Sequence, residues 1–129
     1  EAVPRVYPAL MRSQKVSGRA AKAGMDHVTA EVAWKDLESE VPELREAVAE
    51  KDSDHVEEEL GDLLFSAVNV ARLLGVDSEY ALTRSCDKFI RRFAETERLA
   101  MAEGIDLKTA DSDTKDRLWK EAKEIVHSR

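Results

Sequence analysis

Ser53-Asp-His-Val-Glu-Glu-Glu-Leu-Gly-Asp-Leu-Leu-Phe-Ser-Ala-Val-Asn-Val-Ala-Arg-Leu-Leu74 is the stretch whose periodicity decides the fold. Val56, Leu60, Leu63, Leu64, Ala67, Val68, Ala71 and Leu74 recur at three- and four-residue intervals, the spacing of one helix face and not of a strand. Ser53 or Asp54 supplies an N-cap oxygen, and Gly75 closes the helix. Working toward the C-terminus, Asp77 or Ser78 caps a fourth helix carrying Ala81, Leu82, Cys86, Phe89, Phe93 and Leu99 up to Gly104. A polar segment from Asp106 to Asp113 precedes a short last helix with Leu118, Trp119, Ala122, Ile125 and Val126.

Toward the N-terminus, Val32, Leu37, Val41, Leu44 and Val48 form the buried face of a second helix that follows a turn at Asp26–Thr29 and ends near Glu50. Pro42 lacks an amide donor and is expected to kink this helix or shift its register. A first helix runs from Ala9 to Ala23 behind Pro8 and is closed by Gly24. Five helices with short connections predict an all-α, antiparallel helical bundle. The breadth of the Val56–Leu74 stripe predicts that it is completed across a homodimer or higher oligomer. Residues 1–7 read as a linker and 8–129 as one domain, so the expectation is the tail domain of a longer protein.

Asp plus Glu outnumber Lys plus Arg by 27 to 20, a net charge of −7, which argues against a binder of nucleic acid polymers. An anionic ligand would therefore have to be met by a metal or by a local basic cluster. The single cysteine, Cys86, excludes an internal disulfide and fits a reducing compartment. With no apolar run of membrane length and no leader, the expected location is the cytoplasm and no membrane partner is expected.

Glu40 and Glu43 are three apart, as are Glu59 and Asp62, so each pair projects from one helix face. Two such helices packed antiparallel bring four carboxylates together, an all-oxygen set suited to Mg²⁺ or Mn²⁺ rather than zinc. A charge at the margin of the apolar stripe is costly unless paired or metal-bound, which distinguishes Glu59 and Asp62 from an ordinary solvated face. Asn69, seven residues past Asp62, adds a polar group on nearly the same face, and Gly61 leaves room for a partner or substrate. Lys88, Arg91 and Arg92 make a compact cationic face suited to phosphate oxygens. Trp119 serves either to stack on a base or to pack the last helix. His27 and His55 have no His or Cys at ligand spacing and read as surface residues. Cys86 reads as a small apolar residue, and no Gly-x-x-x-x-Gly-Lys loop is present.

Tyr7-Pro-Ala-Leu-Met-Arg, Glu57-Glu-Glu-Leu-Gly-Asp-Leu-Leu-Phe, Lys88-Phe-Ile-Arg-Arg-Phe and Leu118-Trp-Lys-Glu-Ala-Lys together resemble the MazG nucleotide pyrophosphohydrolases, in particular the catalytic C-terminal domain of the two-domain members. The resemblance implies the all-α fold of these enzymes, with bundles built across subunits. It also implies Mg²⁺-dependent cleavage of (deoxy)nucleoside triphosphates between the α and β phosphates, releasing nucleoside monophosphate and pyrophosphate. By the same transfer Glu40, Glu43, Glu59 and Asp62 hold the metal, and Lys88, Arg91 and Arg92 hold phosphates. Trp119 contacts the base. A carboxylate not fully used by the metal, Glu58 or Glu40, would be free to orient the attacking water.

Several positions depart from the family pattern. The family's Glu-Glu-x-x-Glu and Glu-x-x-Asp signature falls on Ser39-Glu40-Val-Pro-Glu43 and Glu59-Leu-Gly-Asp62, with Ser39 in place of its first Glu, and Lys35-Asp36 places a lysine one position early. His27 stands where Trp is frequent, His55 where Lys occurs, and Cys86 where Asn is usual. Ser39 and the displaced lysine keep a competing function open, a regulatory or dimerisation domain that binds nucleotide or metal without turnover. A di-iron carboxylate protein is disfavoured, because no His lies three residues after a candidate Glu.

Overall fold

The computed structural model describes residues 3–26 and 29–128, which contain five α-helices and no strand. These are α1 (Ala9–Lys22), α2 (Ala30–Glu50), α3 (Ser53–Leu73), α4 (Ser78–Ala102) and α5 (Ser112–His127). The chain divides into two compact units, Glu1–Ala81 and Leu82–Arg129, with the division falling just after the first turn of α4.

In the first unit α2 and α3 form a hairpin joined by Lys51 and Asp52, and α1 packs on α3. Thr29 caps α2, its Oγ1 accepting from the Val32 amide at 3.3 Å. Ala33 and Ala47 on α2 are fully buried, and such small side chains let the backbones of paired helices approach closely. α2 runs through Pro42 as one helix of 21 residues. A proline inside a helix costs about 3 kcal/mol, and tertiary packing, which supplies most helix stability, outweighs one lost donor here. Lys51 ends α2 in the left-handed conformation with φ 58°. The α3 cap is Asp52, not Ser53 or Asp54. A two-residue turn leaves Asp52 with the extended backbone that lets its Oδ1 accept from the His55 amide at 3.3 Å.

The α3 stripe is only partly covered. Val68 and Val70 are buried, whereas Leu60 and Leu64 remain 44% and 51% exposed and Leu74 is also exposed. Periodicity marks which positions are apolar, and the exposed ones lie on flanks of α3 that its neighbours leave uncovered. The start of α1 lacks a side-chain cap from Pro8, but Glu79 Oε2 accepts from the Met11 amide at 3.1 Å and supplies the missing acceptor. Gln14 Oε1 accepts from the Ser78 amide and hydroxyl at 2.9 and 2.7 Å, tying α1 to the α3–α4 turn. One turn along α1, Arg72 donates to the buried Ser17 hydroxyl at 3.2 Å and forks onto Asp26.

In the second unit Leu118 and Ala122 of α5 are fully buried, and the Trp119 ring meets Phe89 at a centroid distance of 5.2 Å. α5 begins earlier than the polar Asp106–Asp113 segment predicted, because Asp111 caps it by accepting from the Thr114 amide at 2.8 Å. No helix among the described residues is long and apolar enough to cross a membrane.

Candidate metal centre

The register of the α2–α3 hairpin follows from its short turn. Glu40 lies eleven residues before Lys51 and Asp62 eleven after it, so an antiparallel pair brings them to the same level, with Glu59 one turn closer to the hairpin end. One carboxylate oxygen from each of Glu40, Glu59 and Asp62 lies within 4.8 Å of the other two. Glu59 is 9% exposed, Glu40 half-buried and Asp62 exposed.

Three carboxylates this close repel one another. Burial pushes the Glu40 carboxyl above its ordinary value, and the charges of Asp62, Glu59 and Glu43 and a hydrogen bond with Glu59 push it further the same way. A divalent cation there would offset this mutual repulsion. The donor set is oxygen only, which fits a hard cation. Glu43 contributes its field to Glu40 but does not join the convergent group, and both Glu43 and Glu58 are exposed.

His55, expected at the surface, is packed between two carboxylates. It is half-buried, with Nδ1 2.9 Å from Glu50 Oε2 and Nε2 3.2 Å from Glu59 Oε1. Both partners are carboxylates, so both ring nitrogens donate when the ring is protonated. The hydrogen bond with Glu50 is the largest cause of a His55 pKa above its ordinary value, burial opposes it, and the Glu59 bond adds to it. The signal in the sequence was the i, i+4 spacing of His55 and Glu59, which a search restricted to His and Cys partners passes over. His27 lies outside the described residues.

A Cβ at Gly61 would meet nothing within 4 Å among the described residues. Asn69 is half-buried, and its Oδ1 is the buried side-chain polar atom without a hydrogen-bond partner among the described residues.

In the second unit, Lys88, Arg91 and Arg92 line a cleft of about 760 Å³ together with Arg98 and His127. Arg98 stands seven residues past Arg91 on the same helix face, a continuation of the basic cluster that sequence inspection overlooked. Glu95, buried within this basic surface, accepts from Arg98 Nε at 2.8 Å. Trp119 is half-buried with its ring tilted 46° against Phe89, so it takes part in packing. Cys86 is exposed on α4 rather than packed as a small apolar residue.

The chain is 40% identical over 125 residues to a protein of Escherichia coli K12 named nucleoside triphosphate pyrophosphohydrolase, covering 94% of this chain and 47% of that one. It is 39% identical over 118 residues to the nucleoside triphosphate pyrophosphohydrolase/pyrophosphatase MazG of Thermotoga maritima, covering 92% and 45%. It also shares 48% identity over 66 residues with the uncharacterized protein YabN of Bacillus subtilis, covering 51% and 14%. The chain spans about half the length, or less, of these curated relatives. The model of the MazG nucleotide pyrophosphohydrolase domain matches residues 28–95, which take in α2, α3, most of α4 and all three converging carboxylates. On that match, the chain belongs to the MazG nucleotide pyrophosphohydrolase domain family.

Proposed function

We propose that this domain hydrolyses (deoxy)nucleoside triphosphates at the α–β bond, releasing nucleoside monophosphate and pyrophosphate. The observation that carries this reading is the convergence of Glu40, Glu59 and Asp62 on the α2–α3 hairpin, inside the segment matched by the family. These residues would hold Mg²⁺ or Mn²⁺, with Glu43 contributing from one turn along α2. When bound, such a cation neutralises phosphate oxygens and acidifies the attacking water.

The remaining chemistry falls to the chain's own side chains. Glu40 or Glu58 orients the water by accepting its proton. Lys88, Arg91 and Arg92 stabilise charge on the departing pyrophosphate. Asn69 Oδ1, a buried acceptor without a donor, is suited to a sugar hydroxyl, and Trp119 offers an aromatic edge to the base. The exposed apolar side chains Val41, Val48, Leu60, Leu64 and Phe65 support assembly as a homodimer, which light scattering at micromolar concentration tests through the mass.

The decisive assay follows products from a panel of nucleoside triphosphates with Mg²⁺. Equal amounts of monophosphate and pyrophosphate support the reading, whereas diphosphate and orthophosphate contradict it. Cation and nucleotide binding without turnover would favour the regulatory alternative that Ser39 keeps open.

A further inference from the structure

We propose that His55 is a positioning residue for the carboxylate cluster, fixing Glu59 through a clamp that runs back to Glu50 across the hairpin turn. The proposal rests on the reading of Glu40, Glu59 and Asp62 as cation ligands.

Glu50 is the last residue of α2, His55 the third of α3, and Glu59 lies one turn further on. The imidazole spans the two carboxylates at 2.9 Å and 3.2 Å, and the His55 amide is itself held by Asp52 Oδ1 at 3.3 Å. The ring is therefore anchored at its backbone and at both nitrogens. A Glu carboxylate turns broadly about its terminal torsion. Unless Oε1 is held, repulsion from Asp62 can turn the Glu59 carboxylate away from the centre. With Oε1 held by Nε2, that rotation is removed and the carboxylate keeps a fixed direction, as hydrogen bonds to ligating carboxylates do in metal sites generally. His55 is not itself a candidate ligand, because its nitrogens are outside the convergent group formed by Glu40, Glu59 and Asp62.

The sign of the effect separates positioning from simple charge balance. An imidazolium that only offset the negative charge of Glu59 would, when removed, leave the cluster more negative and Mn²⁺ binding tighter. Positioning demands the opposite. The test measures Mn²⁺ affinity of the metal-free protein by electron paramagnetic resonance, without nucleotide, for the parent, His55→Ala, His55→Gln, Glu50→Gln, the His55→Ala/Glu50→Gln double variant and Asp62→Asn.

Loss of a hydrogen bond that orients a ligand typically weakens metal binding 10- to 100-fold. His55→Ala should fall in that range. Glu50→Gln, which leaves every group at the centre in place, should weaken binding less but in the same direction. The double variant should be no weaker than His55→Ala within a factor of about two, since Glu50 acts only through the ring. Unchanged or tighter binding in His55→Ala overturns the proposal, as does a double variant showing the product of the two single effects. Should His55→Ala fail to fold, unchanged affinity in both Glu50→Gln and His55→Gln overturns it equally. Parent-like Mn²⁺ binding in Asp62→Asn would instead overturn the underlying cation reading.

Discussion

Asp62→Asn removes one of three charges whose oxygens lie within 4.8 Å of one another while keeping the shape of the side chain. At that distance two full charges repel by roughly 3.5 kcal/mol at an effective dielectric of 20 and by about 0.9 kcal/mol in bulk water. The raised pKa of Glu40 lessens its share of this repulsion, which leaves the Asp62–Glu59 pair as the main term. Asp62 is exposed, so screening moves the value toward the lower bound, to about 1–2 kcal/mol. The metal-free variant should therefore melt higher than the parent, by roughly 3–5 °C for each kcal/mol. Mg²⁺ at a hundredfold excess over its dissociation constant should stabilise the parent by about 2.7 kcal/mol through binding linkage. The variant should lose most of that shift, together with hydrolysis. The assay is a pair of thermal melts, with and without Mg²⁺, and one pyrophosphate-release measurement. A solvated acidic face would shift stability by no more than about 0.5 kcal/mol. A variant destabilised without metal, or one that keeps both the Mg²⁺ shift and activity, refutes the reasoning.

Lys88→Ala and Arg92→Ala should each cost on the order of 2–4 kcal/mol of transition-state stabilisation, read as kcat/KM, with the fold intact; near-normal kcat/KM in both removes the phosphate role from that face. Lys51→Gly should stabilise by about 0.5–1 kcal/mol in urea unfolding, because a left-handed residue with a Cβ costs roughly 1–2 kcal/mol and the entropy of glycine returns part of it; a loss of stability would contradict this. Gly61→Ala, with open space for its methyl, should stabilise α3 by up to about 1 kcal/mol, and a lower midpoint would show that the face is covered. The hydrogen bond from Arg117 holds the Glu103 carboxyl below its ordinary 4.5. Its contribution is present above that value and lost as pH falls through the depressed folded value. The stability gap between the parent and Arg117→Gln should accordingly shrink below pH 4.5, and a gap independent of pH would refute the linkage.

Much of the fold was legible because helices announce themselves through spacing and caps. α1, α2, α3 and α4 lie close to the ranges that apolar periodicity and the Gly24, Gly75 and Gly104 stops suggest. Misplaced details arose where tertiary contacts decide. Pro42 is tolerated inside α2 because the helix is packed along α3, and Asp52 rather than Ser53 caps α3 because the turn is only two residues long. The convergence of Glu40, Glu59 and Asp62 was also legible, since a short antiparallel hairpin turns equal separations from the turn into spatial neighbours. Glu43 sits at the same i, i+3 spacing from Glu40 yet stays outside the group, because spacing along one helix does not determine which oxygen reaches across to the next. His55 was missed for a related reason. Its ring reaches a carboxylate on either side of a turn, a pairing that the spacing of metal-ligand residue types does not reveal.

The claim that Glu40, Glu59 and Asp62 hold the functional cation is tested most directly by crystals grown with Mn²⁺ and a non-hydrolysable nucleoside triphosphate, measured at a wavelength where manganese scatters anomalously. The predicted result is an anomalous peak within coordination distance of carboxylate oxygens from all three residues, absent in Asp62→Asn crystals. A Mn²⁺ peak bound to the nucleotide with none of the three as ligands, or a peak that persists unchanged in Asp62→Asn, would contradict the account.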